Sequence, residues 1–252
     1  MTIFAPSYQG LDNHEIDGVP VHRFRYFPAK WERLTHEEGA PAKVRSLAFQ
    51  ALAPFYVLAG MWSAHRLASR VDFDVIHVHW PFPHGFMARA AGRKCNAPIV
   101  STCHGAELAL GRKHGWVAKL LRRELKRVGV NLANSTHTAA EIKKLSGLEA
   151  RVIPFASTVK ARPGHRKANE VATILFTGRL IQRKGVEYLI RAMPRILESS
   201  SARLLITGNG DRKEELENLT RELGLEKTVE FLGFVSNERL DEFYAEQRGR
   251  PL

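Results

Sequence analysis

The sequence predicts an α/β protein with mostly parallel sheets, and three observations carry that expectation. Short apolar runs alternate with helical patterns along nearly all of the 252 residues. The polar, basic segment 159–170, with Pro163 and Gly164, interrupts the alternation once, so it reads as a linker between a unit at 1–158 and a second at 171–252. In the second unit, two successive apolar runs end in glycine loops, at Gly178 and at Gly208-Asn209-Gly210, before a new helical pattern starts. Strands that alternate with helices and deliver the chain to such loops belong to parallel sheets.

Taken in order, MTIFAPSY reads as a strand. SLAFQALAPFYVLAGMWSAHRLA (46–68) is apolar, yet Gln50 and Pro54 interrupt it. Its unbroken length falls short of the roughly 20 residues a membrane span needs. A core or domain-edge helix is expected there, with an interfacial membrane helix as the alternative. FDVIHVHW (73–80) is a buried strand, HGFMARAAGRK (84–94) a helix and APIVST (97–102) the next strand. WVAKLLRRELKRV (116–128) is amphipathic. Trp116, Val117, Leu120, Leu121, Leu125 and Val128 share one side, with Lys119, Arg122, Arg123, Lys126 and Arg127 largely opposite. VNLANS (130–135), HTAAEIKKL (137–145) and RVIPF (151–155) read as strand, helix and strand. The second unit runs ATILFTG, a helix over about 185–198, ARLLITG (202–208), a helix over about 211–223, VEFLG (229–233) and a helix from Ser236.

A hydrophobic content of 44% supports a true core. The two cysteines, Cys95 and Cys103, stand in no metal or redox spacing, and no leader-like stretch opens the chain. A cytoplasmic protein is expected. Its net charge of +12 is uneven: residues 1–160 hold 22 Lys/Arg against 12 Asp/Glu, and residues 161–252 hold 16 against 14. A basic half points to an anionic partner. Phosphorylated substrate and anionic lipid fit, which allows a peripheral position at the inner membrane face. Nucleic acid is set aside, because no binding module and no aromatic stacking pattern accompany the cations.

The stretch LFTGRLIQRKGVEYLIRAM (175–193) carries the chemistry. A helix N-terminus leaves backbone N–H groups unpaired and is partly positive, and glycines let the backbone come close, so strand, loop and helix form an anion site. Arg179 offers a planar fork for phosphate oxygens and Lys184 a point charge. An ordinary turn with surface cations is the plainer alternative. The neighbouring loop, Gly208-Asn209-Gly210, ends on the same sheet edge, where ligands of open parallel sheets lie. No Walker loop is present. His77 and His79 share a strand face with His84 close behind, but no acidic or cysteine partner stands near, so no metal is expected. Asp72-Phe73-Asp74 precedes its strand and reads as a turn. No serine or cysteine nucleophile motif occurs.

Several stretches together resemble the family-4 glycosyltransferases of the GT-B fold. GRLIQRKGVEYLIRA (178–192), LLITGNG (204–210) and VEFLGFVS (229–236) are similar to the donor domain of that family. HRFRYFP (22–28), DVIHVHWPFPHG (74–85), STCHGAELALGRKHGW (101–116), LANSTHTA (132–139) and VIPF (152–155) are similar to its acceptor domain. The resemblance implies two Rossmann-like parallel-sheet domains facing a cleft, and a retaining transfer of sugar from a nucleotide-sugar to a lipid-linked or glycan acceptor, without cofactor or metal. It implies that Arg179 and Lys184, with Gly178 and Gly185, hold the donor diphosphate. Gly208, Asn209, Gly210 and Val235 would hold the nucleotide. His104 would face the donor sugar as the catalytic residue, with His79 and Glu107 on the acceptor side. A nucleotide-sugar epimerase and an inactive fragment that only binds nucleotide or membrane are the rival functions.

Two departures shape a further expectation. The first strand and glycine loop of the family's acceptor domain have no counterpart, and neither has the glutamate pair that follows the donor motifs; Ala156 stands where glycine is usual. Both domains are therefore expected to be incomplete, with little transferase activity in this polypeptide and poor solubility.

Overall fold

The computed structural model describes residues 1–32, 47–156 and 171–247. It divides into two units, Met1–Phe155 and Ala156–Leu252. The expected linker at 159–170 lies outside the described residues.

The first unit opens with β1 (Ile3–Pro6), β2 (His14–Ile16) and β3 (Val19–Phe24). These form one sheet in the order β1-β3-β2, in which β1 runs parallel and β2 antiparallel to β3. Asp17 and Gly18, both at positive φ, make the tight turn of the β2–β3 hairpin, the conformation that Asp-Gly favours. Next comes α1 (Leu47–Ala68), a single helix through Pro54. Its inner side, with Tyr56, Ala64 and Ala68, joins Phe24, Tyr26, Met87 and Ala91 in one buried cluster. That bears out a core or domain-edge helix. Phe55, Leu58 and Trp62, at helical spacing, remain exposed on its outer side. No helix among the described residues is long and apolar enough to cross a membrane.

The second sheet is parallel, in the order β4-β5-β6-β7. It comprises β4 (Ile76–His79), β5 (Ile99–Cys103), β6 (Val130–Ala133) and β7 (Arg151–Val152). The connections are α2 (Pro81–Cys95), the pair α3 (Ala106–Lys113) and α4 (Gly115–Leu125), and α5 (Thr136–Ser146). The register places His79 beside Thr102 and Cys103 beside Ala133, so the carboxyl ends of β4, β5 and β6 lie along one edge. The sequence reading has one helix over 116–128. The structure has two helices over 106–125, and Val128 falls beyond the second.

The second unit holds β8 (Ala172–Thr177), β9 (Ala202–Thr207) and β10 (Val229–Gly233), all parallel in the order β10-β9-β8. Its helices are α6 (Val186–Ser199), α7 (Lys213–Glu222) and α8 (Asn237–Gln247). Val186, Ile190 and Met193 recur at i, i+4 and i+7 and bury one face of α6 against Leu204 and Ile206 of the central strand. Each large apolar side chain removed from water in this way contributes roughly 1.5–3 kcal/mol. The packing fixes where the N-terminus of α6 lies relative to the strand ends.

Candidate functional site

In the second unit, two loops at the carboxyl edge of the sheet are tied into one platform. After β8 the chain passes Gly178 and Arg179, dips to the fully buried Leu180, makes a 3-10 turn over Gln182–Lys184 and enters α6 from Gly185. Gly185 has φ +65°, the left-handed conformation that glycine adopts without strain. The neighbouring loop after β9 runs alongside. Gly178 N–H donates to Thr207 O (3.2 Å), Leu180 N–H to Asn209 O (3.0 Å) and Arg212 N–H to Leu180 O (3.1 Å). Gly208 N–H donates onward to Gly233 O of β10 (2.6 Å).

This contact gives Gly208 and Gly210 a purpose the sequence reading did not assign. A Cβ on Gly208 would stand 2.1 Å from Gly178 O, and one on Gly210 would stand 2.1 Å from Leu180 O. Their missing side chains first of all let backbone meet backbone. Arg212, which sequence reasoning missed, closes the platform: it pairs with Glu187 in the first turn of α6 and with Glu215 of α7. Those carboxylates hold its guanidinium well above the usual arginine range. Only the assembled loops reveal this role, because Glu187 stands 25 residues from Arg212 in the chain.

Arg179 and Lys184 are exposed, and among the described residues neither makes an ion pair. The acid nearest in sequence, Glu187, is already taken by Arg212. Unneutralised cations, Arg179 and Lys184 with Arg183 between them, therefore border a glycine-bracketed helix N-terminus. Asn209 is exposed at the tip of the second loop. Val235 follows β10 at the same edge, half-buried, next to the exposed Phe234.

In the first unit the sheet edge carries a row of imidazoles. His77 Nε2 hydrogen-bonds Thr102 Oγ1 (2.7 Å), and the His77 and His79 rings lie 4.4 Å apart. His79 Nδ1 lies 2.9 Å from His104 Nε2, and Phe155 stacks on the His104 ring at 5.3 Å. Desolvation first, and the charge of His104 second, hold His77 below the usual imidazole range. His79 is held down by desolvation and then by His77, His104 and His84. The lowering favours the uncharged form of both rings. Among the described residues no three His, Cys, Asp or Glu side chains form a metal-binding group.

The loop carrying His104 is anchored at both ends of its peptide. Its N–H donates to Glu107 Oε1 (2.8 Å), and its carbonyl accepts from Asn134 Nδ2 (3.4 Å). Asn134 is held in turn by the Thr138 hydroxyl (2.8 Å). Glu107 is 1% exposed, in the first turn of α3. Its carboxylate holds the loop from the first turn of α3, where the partly positive helix start favours it.

The basic face expected over 116–128 is present, on α4 and the two residues that follow it. Lys119, Arg122, Arg123, Lys126 and Arg127 are exposed and line one surface depression. Arg89 of α2 is pushed down to about 10 by burial and by Arg127, Arg93 and Arg123, so the positive cluster continues onto α2. Beneath it the buried Glu124 pairs with Arg89.

The family profile described as Glycosyltransferase Family 4 matches residues 1–155, and the one described as Glycosyl transferases group 1 matches residues 158–248. An uncharacterized glycosyltransferase of Methanocaldococcus jannaschii is 29% identical over 224 residues, covering 76% of this chain and 56% of that protein. The putative teichuronic acid biosynthesis glycosyltransferase TuaC of Bacillus subtilis is 26% identical over 215 residues, covering 79% of this chain and 50% of its own. The chain thus spans about half the length of these relatives. Among solved structures, Anabaena HepE in complex with UDP-glucose superposes with a TM-score of 0.61 at 18% identity, covering 98% of this chain and 72% of that one. At that identity the likeness speaks for the fold, and it agrees with the GT-B-like α/β architecture expected from the sequence.

Proposed function

The chain belongs to glycosyltransferase family 4, and from that premise we propose that it serves in moving a sugar from a nucleotide-sugar to a lipid-linked or polysaccharide acceptor, with retention at the anomeric carbon. One observation carries the donor half of this reading: Arg179 and Lys184 stand exposed and free of ion pairs among the described residues, around the glycine-bracketed start of α6. As the bond from the anomeric carbon to the β-phosphate oxygen breaks, its electron pair goes to the diphosphate. Cations and backbone N–H groups already in place meet that charge without reorganising. The acceptor hydroxyl oxygen bonds the anomeric carbon and passes its proton to an oxygen of the departing diphosphate. His104 is the residue assigned to the sugar, on the family resemblance and on its anchored loop. Gly208, Asn209, Gly210 and Val235 are assigned to the nucleotide. UDP-glucose in Anabaena HepE and the teichuronic acid role in the name of the B. subtilis relative support a nucleotide-sugar donor and a glycan acceptor. Titration calorimetry with UDP, GDP and ADP tests the reading. Saturable binding of at least one diphosphate, tighter than its monophosphate, is expected. A folded protein that binds none of the three overturns it.

The acceptor half rests on charge. The cations of α4 and α2 match an anionic membrane surface, where each basic residue near the lipid contributes about 1 kcal/mol, and Trp62 and Trp116 are exposed on the same unit. In vesicle co-sedimentation, binding is expected to rise with phosphatidylglycerol content and to fall as salt shortens the reach of the field. Equal binding to neutral phosphatidylcholine vesicles counts against a lipid-facing role.

A further inference from the structure

We propose that His79 is the positioning residue of His104: through one hydrogen bond it fixes the orientation of that imidazole and ties its tautomer to its own, leaving Nδ1 as the single ring nitrogen open to a ligand. The inference deepens the assignment of His104 to the donor sugar and rests on it for its catalytic meaning. The geometry itself stands independently.

The argument begins with the backbone of His79. Its carbonyl lies 2.9 Å from His84 Nδ1. A carbonyl only accepts, so Nδ1 of His84 carries the proton. In the neutral ring Nε2 then holds a lone pair, and the Tyr56 hydroxyl donates to it at 2.9 Å. Burial keeps the His84 imidazole below its usual range, against the two backbone hydrogen bonds that raise it, which favours this neutral form. Trp80, which follows, sits at φ +61°, uncommon for a bulky residue, and its N–H donates to Thr102 O (3.1 Å). Strain of this kind persists where the surroundings over-determine the chain. The strand end carrying His79 is therefore held from α1, α2 and β5 together.

The side chain is held as well. The His77 ring packs on one side of it, at 4.4 Å between centroids. On the other side His79 Nδ1 meets His104 Nε2 at 2.9 Å. Phe155 covers a face of the His104 ring, at 18° between planes, and Glu107 and Asn134 hold its peptide. With Nε2 engaged by His79, only Nδ1 of His104 is left to a ligand. Which nitrogen of His79 carries its proton decides whether that Nδ1 donates or accepts. A ring nitrogen's partner sets the role of the opposite nitrogen in just this way. The ionisable groups facing His79 are His77 on its own strand, His104 after β5 and His84 of α2. All are imidazoles, and no carboxylate is among them to stabilise a charged pair.

Two substitutions separate positioning from bulk. The amide of asparagine places a polar atom where Nδ1 of histidine stands, so His79→Asn keeps a partner for His104 that does not titrate. His79→Ala removes the partner. The first measurement is nitrogen-15 NMR of the histidine rings in the whole chain, without ligand. One set of His104 ring shifts, reporting a single tautomer, is expected in the parent and in His79→Asn. Averaged shifts from mixed tautomers are expected in His79→Ala. Unchanged His104 shifts in a folded His79→Ala overturn the proposal, and this outcome does not depend on any transferase activity. The second measurement is sugar release from a nucleotide-sugar. His79→Ala is expected to lower kcat by about tenfold to a hundredfold with little change in KM, as a misplaced group does. His79→Asn is expected to stay within a few-fold and to lose part of the acid limb of the pH profile. A parent-like kcat in His79→Ala also overturns the proposal. A parent that releases no sugar is the outcome expected of incomplete domains, and the NMR result then decides by itself whether His79 positions His104.

Discussion

Gly210→Ala is expected to be among the most damaging single-methyl changes in this protein. The added Cβ would lie 2.1 Å from Leu180 O and 2.5 Å from Leu180 C, both backbone atoms. No rotamer relieves such a clash, so one of the two loops has to move. Leu180 is fully buried, and its N–H and carbonyl are bonded to Asn209 and Arg212, so movement breaks packing and hydrogen bonds together. Overpacking of this kind costs typically about 1–3 kcal/mol, occasionally more. Gly224→Ala supplies the contrast. Gly224 is left-handed, at φ +66°, but has nothing within 4 Å of an added Cβ, so only backbone strain of about 1–2 kcal/mol is expected. Chemical denaturation checks both. Gly210→Ala should be the less stable of the two and should also lose nucleoside diphosphate binding, because Arg179 stands one residue from Leu180. If Gly210→Ala unfolds at the parent midpoint, the backbone contact is not what requires glycine there.

Arg179→Ala and Lys184→Ala are each expected to weaken nucleoside diphosphate binding by about 1.5–3 kcal/mol, the scale of hydrogen bonds to charged groups. That is roughly tenfold to a hundredfold in Kd. Both side chains are exposed and make no ion pair among the described residues, so neither change should alter the unfolding midpoint by more than about 0.5 kcal/mol. A loss of affinity without a loss of stability is the signature of a ligand contact. Arg179→Lys should recover only part of the loss, because an ammonium cannot offer the planar fork of a guanidinium. Calorimetry on the folded variants decides it, and unchanged affinity in both alanine variants would remove the diphosphate from this loop.

Much of the fold is legible in the sequence where side-chain period and burial coincide. Ala202–Thr207 is a central strand covered on both faces, so it reads as a continuous apolar run. Val186, Ile190 and Met193 mark the buried stripe of α6 directly. The reading falters where polar groups sit inside. Helix α3 buries Glu107 beside Leu108 and Gly111, so its inner face carries a charge and its short span shows no clean stripe. The hairpin over 14–24 carries a usable signal in Asp17-Gly18, but its strands are short and partly exposed. Glu124 likewise lies on the buried side of α4, where it pairs with Arg89.

The candidate site divides along the same line. Arg179, Lys184 and the glycines near them are recognisable in the sequence because an anion site at a helix N-terminus is a local arrangement, written in consecutive residues. His104 is marked only by the resemblance of its Thr-Cys-His-Gly stretch to the family. What the sequence by itself determined is therefore the alternation of strands and helices, the sheet edge on which the loops emerge and the cations and glycines of the candidate anion loop. Only the tertiary structure decided that Gly208 and Gly210 serve a backbone contact, that Arg212 links α6 to α7 and that His79 engages Nε2 of His104. Each of these joins segments about 25 to 30 residues apart. Their partners are chosen by strand order and register, and hydrogen bonds across a sheet edge leave no periodic trace along the chain.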